Sequence, residues 1–380
     1  MSEKVLNFCD ISGSSVKEYQ GMRKYIATGD IIDNKICSYT EVNYKNKPSR
    51  ANQEAELGNV LFAKMKETIK VICITEDNVD YIYSTGFYII KPKENVLTEY
   101  LYWLFNSPNF NRDKDKLCKG ATQKALNNEG LRKIDIEKLP TIEEQKDIVC
   151  KLNKLSNVIN KKIEQLALLN ELIKSQFVEM FGNPVLNEKH WKVELLGNLG
   201  NFKNGMNFNK TNEGHKIKFL GVGDFNKGTI INNINLLENI NLNEKPSDDY
   251  MLKNKDIVFV RSNGSKELVG RSTLIDDIEE EITYSGFCIR FRKKLEELNV
   301  RYLIELFQNK EFFNYLKKDS RGANINNINQ QMLSNLKIIL PPIELQNQFA
   351  EIVKQIDKQK FESVIELREI QKNIFYKWGR

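Results

Sequence analysis

The sequence predicts an α+β protein that arose by tandem duplication, in which a mixed α/β domain followed by one long helix occurs twice. The phrase LPTIEEQKDIVCKL at 139–152 returns as LPPIELQNQFAEIV at 340–353, an offset of 201 residues (340 − 139). Short β-rich runs and then helical patterns precede each copy of the phrase, and a long amphipathic helical pattern follows it.

Further matched segments keep their order along the chain. The pairs are 24–36 with 218–230, 58–64 with 255–261, 84–89 with 284–289, 119–127 with 321–329, and 168–177 with 366–375. Each repeat is close to half of the 380 residues, far longer than the roughly 20–50 residues of a solenoid repeat. We therefore predict domains at 1–140 and 183–341, and long helices at 141–182 and 342–380.

Within each domain, strands come first and helices follow. We expect strands in KVICI (70–74), DYIYSTGFYII (80–90), DIVFVR (256–261) and GFCIRFR (286–292), and single helices at 97–110 and 300–318. This order favours a mixed sheet over a doubly wound one. The first domain has no clear counterpart of WKVELLGNL at 191–199, so we expect its N-terminal edge to be trimmed or differently built.

Proline marks the approach to both long helices, at Pro140 and Pro341. Thr141 and Glu144 have the spacing of a capping box, which the second copy lacks. Gly182 is expected to end the first long helix.

An apolar stripe runs along each long helix and includes Ile163 in the first and Phe361 in the second. Its mean spacing is about 3.6 residues in the first helix, and its steps are less regular in the second. A stripe of this length needs a partner, so we expect the two helices to pair as a coiled coil. Packing of each helix on its own domain is the alternative. The residues assigned to the helix-pair and subunit interface are Ile148, Leu152, Leu155, Ile159, Leu166, Ile173, Phe177, Val353, Ile356, Val364, Leu367 and Ile374.

Composition limits the class of function. The net charge of +6 is a mild indication of a polyanionic partner. Six scattered cysteines without a CxxC pair indicate reduced thiols in a cytoplasmic protein. No apolar run approaches the ~18 residues of a membrane span, and the N-terminal residues do not have the pattern of a secretory signal.

The sequence offers little for catalysis or metal binding. His190 and His215 are its only histidines, and both are assigned to the surface or to packing. No P-loop occurs, and the glycines of FLGVGDF at 219–225 indicate a turn rather than a phosphate loop. There is also no NPPY, DPPY or PD-x(n)-E-x-K motif. We predict no catalytic residue and no metal site.

The ordered set of segments, present twice over essentially the whole chain, resembles the specificity subunit of type I restriction–modification systems. The segments that carry the resemblance are LPTIEEQ, LPPIELQ, HWKVELLGNLGNFKNG, NKDIVFVRSNG, KGATQKALN and RGANINNIN. The resemblance implies that each domain reads one half of a bipartite DNA sequence. It also implies that the two long helices pack antiparallel, set the gap between the half-sites and dock other subunits.

The partners implied by the resemblance are double-stranded DNA and two modification (methyltransferase) subunits, with a restriction/translocase subunit as an open alternative. The chain itself would be non-catalytic and would bind no cofactor. S-adenosylmethionine would belong to the modification subunits, and ATP and Mg to a restriction subunit. A coiled-coil scaffold or adaptor without DNA recognition is the alternative from another class, and the helices alone fit it equally well.

Phosphate contacts use Lys, Arg and small polar donors, and base contacts favour Arg, Asn and Gln. In loops the alternative for lysines is simple solvation. The DNA-binding candidates are Lys45, Lys47, Ser49, Arg50, Lys64, Lys66, Lys119, Thr122, Gln123, Lys124, Arg261, Ser262, Asn263, Ser265, Lys266, Arg271, Arg321, Asn324 and Asn326.

Overall fold

The structure is a computed structural model that describes residues 2–208, 213–226, 228–265, 267–319 and 327–378, without the side chains of 318–319 and 371–378. It divides into two compact units. The first unit is Met1–Glu164 with Ser363–Arg380, and the second unit is Gln165–Glu362. Each long helix therefore contributes residues to both units. The domain boundaries expected from the sequence stay predictions.

The first unit contains these elements in chain order: β1 (Glu3–Lys4), β2 (Cys9–Ser12), β3 (Arg23–Ile26), β4 (Ile31–Ile32), β5 (Lys35–Ile36), β6 (Thr40–Val42), β7 (Ala51–Gln53), β8 (Val60–Ala63), β9 (Val71–Cys73), β10 (Ile82–Ser84), β11 (Phe87–Pro92), α1 (Thr98–Asn106), α2 (Pro108–Leu117), α3 (Asn128–Leu131), β12 (Asp135–Ile136) and the start of α4 (Ile142–Phe181).

The second unit contains the end of α4 and these elements: β13 (Lys192–Leu195), α5 (Leu196–Leu199), β14 (Gly200–Asn204), β15 (His215–Leu220), β16 (Ile230–Ile231), β17 (Glu238–Leu242), β18 (Ile257–Val260), β19 (Ser272–Ile275), β20 (Ile282–Tyr284), β21 (Cys288–Lys293), α6 (Val300–Gln308), α7 (Lys310–Asp319), α8 (Gln330–Ser334), β22 (Lys337–Leu340) and the start of α9 (Ile343–Trp378).

The sheets repeat between the two units. One sheet has the order β2-β11-β8-β9 in the first unit and β14-β21-β18-β19-β16 in the second. Another has the order β6-β3-β10-β7 in the first unit and β17-β15-β20 in the second. In each of these one pair is parallel, β3 with β10 and β15 with β20. The predicted duplication and α+β class are confirmed, with strands β16 and β7 at sheet edges lacking a counterpart among the described residues of the matching sheet in the other unit.

The N-terminal edge of the first unit does have a counterpart of the WKVELLGNL segment. Strand β1 pairs antiparallel with β12, as β13 pairs with β22. Strand β1 has two residues where β13 has four, and a single 3₁₀ turn at Val5–Asn7 replaces α5. The edge is therefore trimmed but built on the same plan.

One matched segment was aligned one residue out of register. The segments STGFYI (84–89) and YSGFCI (284–289) were matched through their shared Gly-Phe, and this match equates Phe87 with Phe287. In the sheets Phe87 is opposite Ala63, and Cys288 is opposite Val260 at the matching point of the other unit. Phe87 therefore corresponds to Cys288. Both are buried, whereas Phe287 is 60% exposed.

The two single helices expected in the domains are each broken in two. The first breaks at Ser107, whose hydroxyl accepts a hydrogen bond from the amide of Phe110 and so caps a new helix. The second breaks at Asn309, whose side chain accepts from the amide of Phe312. Ser and Asn compete for backbone donors in this way, and apolar periodicity alone does not reveal it.

The long helices span Ile142–Phe181 and Ile343–Trp378. Thr141 and Glu144 form the predicted capping box, since each backbone amide donates to the other's side chain. Gly182 follows α4 with a positive φ of 75°. The glutamines of the two repeated phrases, Gln145 and Gln346, are fully buried at the helix starts.

The apolar stripe was wrong at two positions. Ile163 is 54% exposed and Phe361 is 66% exposed. The buried side of α9 instead passes through Ser363, which is 4% exposed. Steps from Phe349 to Val353, Ile356, Lys360, Ser363 and Leu367 alternate between four and three residues, as along one face of a helix that packs against another. Phe361 lies one residue beyond Lys360 on this line and therefore off the buried side.

The structure places the interface candidates at different depths. Leu152, Ile173, Phe177, Val353 and Ile356 are buried. The half-buried candidates are Ile148, Leu155, Ile159, Leu166, Val364 and Leu367. The side chain of Ile374 lies outside the described residues.

Within the second unit, later residues of α4 meet earlier residues of α9. Phe181 and Phe177 contact Phe349, with ring centroids 5.3 and 5.6 Å apart. Ile173 shares a cleft with Asp357 and Lys360, further along α9. The two segments therefore run antiparallel. In the first unit Lys162 on α4 forms an ion pair with Glu366 on α9, at an N–O distance of 2.6 Å.

Candidate nucleic-acid interface

Four loops of the first unit are tied together at one end of its sheets, and we call them the first loop cluster (residues 45–50, 64–66, 84–86 and 119–126). The amide of Thr85 donates to the carbonyl of Arg50, at 2.9 Å. The amide of Leu126 donates to the carbonyl of Lys64, at 2.8 Å. The amide of Lys66 donates to the carbonyl of Lys124, at 2.9 Å. Candidates that are far apart in sequence therefore lie together.

Within this cluster some candidates are free to meet a ligand. Lys45, Arg50 and Lys124 are exposed, and their side chains form no hydrogen bond or ion pair with any residue that the structure describes. Ser49, Thr122 and Gln123 are exposed in the same loops. These side chains offer cationic and neutral donors of the kind that contact phosphates and base edges.

Two other candidates are engaged within the protein. The ammonium group of Lys47 donates to the carbonyl of Ala51, at 2.8 Å, and to the side chain of Asn52, at 2.9 Å. That of Lys64 donates to the carbonyl of Thr85, at 2.9 Å, and lies 4.5 Å from the centre of the Tyr88 ring. Partial burial lowers the pKa of Lys64. Both lysines hold the loops in shape.

Lys66 and Lys119 form exposed ion pairs. Lys66 lies 3.3 Å from Glu67, and Lys119 lies 3.7 Å from Glu129. Such exposed pairs contribute little stability and can exchange for phosphate. Gly120, next to Lys119, has a φ of +138°, and an added Cβ would lie 2.4 Å from the Gln123 carbonyl oxygen.

The second unit has the same arrangement, which we call the second loop cluster (residues 261–265, 285–288 and 327–328). The amide of Arg261 donates to the carbonyl of Phe287, at 2.7 Å, and the amide of Ile328 donates to the carbonyl of Arg261, at 2.8 Å. Ser262 pairs with Asn327. Arg261 therefore occupies the position that Lys64 has in the first unit.

Arg261, Ser262 and Asn263 are half-exposed, and Ser265 is exposed. The guanidinium of Arg261 has no partner among the described residues. The side chain of Asn263 accepts from the amide of Ser265, at 2.8 Å, which shapes the loop. Arg271 donates to the side chain of Asn226, at 2.8 Å. The candidates Lys266, Arg321, Asn324 and Asn326 lie outside the described residues.

Sequence reasoning missed one residue of the second loop cluster. The residue is Phe287, whose side chain is 60% exposed. Its carbonyl accepts a hydrogen bond from the amide of Arg261, and the next residue, Cys288, is buried. The match of segments 84–89 and 284–289 equates Phe287 with Phe87, which is buried. Alternation along the strand is the signal that identifies Phe287, because it precedes the buried Cys288 and neighbouring side chains of a strand face opposite sides.

A polar cluster of the second unit lies apart from these loops, in a cleft of about 720 Å³ between α4, α6 and α9. The guanidinium of Arg301 lies 3.1 Å from Glu305 and 2.5 Å from Asp357, and Lys360 lies 3.0 Å from Asp357. Burial raises the pKa of Glu305, while the positive charge of Arg301 lowers it. The cluster ties α6 to α9.

Other kinds of site find little support. Within residues 2–208, 213–226, 228–265, 267–319 and 327–378, no group of His, Cys, Asp and Glu is placed to hold a metal ion. Among the helices described, none has the length and apolar character to cross a membrane. The six cysteines are free.

A sequence profile for the type I restriction modification DNA specificity domain matches residues 9–171 and 188–371. The chain belongs to this family. The two matches coincide with the two repeats, so each repeat is one copy of the specificity domain. The family therefore accounts for the duplicated strand order and for the paired loop clusters.

Curated relatives carry the same family name. The chain is 26% identical over 296 residues to the type I restriction enzyme MjaIX specificity subunit of Methanocaldococcus jannaschii, covering 69% of this chain and 66% of the relative. It is 27% identical over 286 residues to the StySPI specificity subunit of Salmonella potsdam, covering 71% and 60%. The matches thus span less than two thirds of either relative.

Solved structures share the fold of this specificity-family chain. A chain from work on complex assembly and conformational transition of the type I R-M system has a TM-score of 0.63 at 21% identity, covering 100% of this chain and 97% of that one. The type I restriction–modification S subunit from M. genitalium has a TM-score of 0.53 at 14% identity, covering 100% and 95%. Both cover the two repeats and both long helices.

Proposed function

We propose that the chain is the non-catalytic specificity subunit of a type I restriction–modification complex and that it reads a bipartite DNA target. One observation carries the proposal. Each unit presents a loop cluster at the same strand ends, with Lys64 or Arg261 at its centre and exposed donors around it. Two similar readers in one chain suit a target with two separate halves.

In this proposal the exposed cations Lys45, Arg50 and Lys124 hold phosphates, together with Lys66 and Lys119 once they leave their surface ion pairs. Arg261 and Asn263 are assigned to base edges in the other half-site, because Arg pairs with guanine and Asn with adenine. Lys47 and Lys64 keep structural roles. Because the two clusters differ in sequence, the two halves of the target differ as well.

The long helices are assigned two tasks. They fix the gap between the half-sites, and they dock two modification subunits that carry S-adenosylmethionine, in the cytoplasm. A forty-residue helix is ~60 Å long, on the order of one to two turns of duplex. A restriction subunit with ATP and Mg would add cleavage, and the proposal does not require it.

The test is adenine-methylation mapping in a methylation-free host that expresses the modification subunit with or without this chain. We expect methylated adenines only when the chain is present, in two short defined halves around an unspecified gap. Methylation that is the same without the chain would leave the coiled-coil adaptor as the better function.

A further inference from the structure

We propose that Phe287 makes an apolar contact with the C5 methyl group of a thymine in the half-site read by the second unit. This inference rests on the proposed function and adds a specificity-determining residue to it. Phe287 is a large apolar side chain, 60% exposed, in the middle of a loop cluster whose other exposed members are polar.

The backbone around Phe287 is fixed on all sides. The amide of Cys288 donates to the carbonyl of Ser285, at 2.9 Å, which closes a turn. The amide of Phe287 donates to the hydroxyl of Ser285, at 3.2 Å. Its carbonyl accepts from the amides of Arg261 and Ser262, at 2.7 and 3.4 Å. These bonds fix the backbone from which the exposed Phe287 side chain projects.

The preceding glycine tightens the turn further. A Cβ on Gly286 would lie 2.1 Å from the side-chain oxygen of Asn207, and the Gly286 amide donates to the carbonyl of Met206, at 2.9 Å. This close approach holds the backbone of the turn against the Met206–Asn207 segment. Exposing a ring of this size costs hydrophobic free energy that a ligand contact would recover.

The neighbours decide which contact is made. Arg261, Ser262 and Asn263 are donors and acceptors for base edges, which the major groove displays most fully. In that groove the thymine methyl is the apolar feature of the base pairs, and phenylalanine is among the side chains that contact it. The first unit has Gly86 at the equivalent position, whose carbonyl accepts from the amide of Lys64, at 2.9 Å. Because Gly86 has no side chain, the first unit cannot make this contact with a thymine methyl group.

The experiment uses the complete complex with its modification subunits and proceeds from the mapped target. The half read by the second unit is the one that stays when residues 1–140 are exchanged. Binding is measured for duplexes in which each thymine of the target is replaced in turn by uracil, which removes only the methyl group. The proteins are the wild type, Phe287→Ala and the control Leu295→Ala, whose 40% exposed side chain lies beyond the far end of β21.

We expect one uracil in the second-unit half to weaken wild-type binding about fourfold, the effect of one buried methyl group. Phe287→Ala should bind thymine and uracil duplexes at that position equally, while Leu295→Ala behaves as wild type. Uracils in the first-unit half should affect all three proteins alike. The proposal is overturned if the uracil profile of Phe287→Ala equals that of the wild type, or if the half contains no sensitive thymine. Failure of the proposed function shows earlier, as the absence of any chain-dependent methylation.

Discussion

The side chain of Gln346 accepts a hydrogen bond from the backbone amide of Asn299, at 2.9 Å. Its amide group donates to the carbonyls of Glu297 and Pro341, at 3.1 and 2.7 Å. In this way one fully buried glutamine joins the start of α9 to the start of α6. Buried backbone groups require such partners, because leaving them unpaired costs free energy.

Gln145 does the same in the other repeat. It accepts from the amide of Leu97, at 2.9 Å, and donates to the carbonyls of Asn95 and Pro140, both at 2.9 Å. The repeated phrase at the head of each long helix therefore encodes a joint between helix and domain. It survives in both copies because each domain must be fixed to its own long helix.

Replacing Gln346 by alanine should destabilise the second unit by about 3 kcal/mol, because buried backbone donors and acceptors lose their partner. Hydrogen exchange at the start of α6 should accelerate, while the start of α1 is unaffected. Gln145→Ala should give the reverse pattern. Gln348→Ala is the control, since Gln348 is exposed on the same helix and should change the free energy of unfolding by less than about 0.5 kcal/mol. Unchanged exchange at both helix starts would contradict this role.

Replacing Arg301 by methionine should destabilise the second unit by about 3 kcal/mol at pH 7, because Glu305 and Asp357 lose the charge that faces them. Burial already raises the pKa of Glu305. Its contribution to stability is therefore full below the ordinary glutamate pKa and is lost as the pH rises through the raised value. Without Arg301 that pKa rises further.

The difference in unfolding free energy between wild type and Arg301→Met should therefore be smaller at pH 5 than at pH 7. Urea unfolding at both values, followed by hydrogen exchange in α6, measures it. Lys354→Met, an exposed change on α9, is the matched control. A difference that is equal at both pH values would contradict the role of the carboxylates.

DNA binding by the assembled complex should weaken steeply with salt, because phosphate contacts release condensed counterions. Lys45→Ala, Arg50→Ala and Lys124→Ala should each lower the slope of log K against log salt by about 1. Lys91→Ala removes the same charge at the other end of β11 and should leave the slope unchanged. Equal slopes for all four variants would remove these residues from the interface.

The sequence predicted the features that follow from periodicity and from internal matching. The duplication was visible in the matched segments, and the α+β class in the order of strand and helix patterns. The start of each long helix was visible because Pro140, Pro341 and the capping box of Thr141 are local signals. Internal matching gave the order of the strands but not their register at every point. At the turn before β21 the shared Gly-Phe equates Phe87 with Phe287, whereas in the sheets Phe87 corresponds to the buried Cys288.

The rest depended on contacts between residues that are distant in sequence. Phe361 was expected to be buried, but Ser363 is buried instead. Burial along α9 depends on which face of the helix packs against the rest of the protein, not on the hydrophobicity of single residues. The engagement of Lys47 and Lys64 with nearby carbonyls is likewise invisible without coordinates. Residue type alone could nominate these lysines for phosphate contacts, but it could not separate them from the exposed Lys45 and Lys124.

The central claim is that each repeat reads its own half of one DNA target. The most direct measurement exchanges residues 1–140 for the matching domain of another member of the family and maps adenine methylation in cells that express the modification subunits. We predict that one half of the target changes while the other half and the gap stay as they were. A target that changes in both halves, or in neither, would contradict the claim.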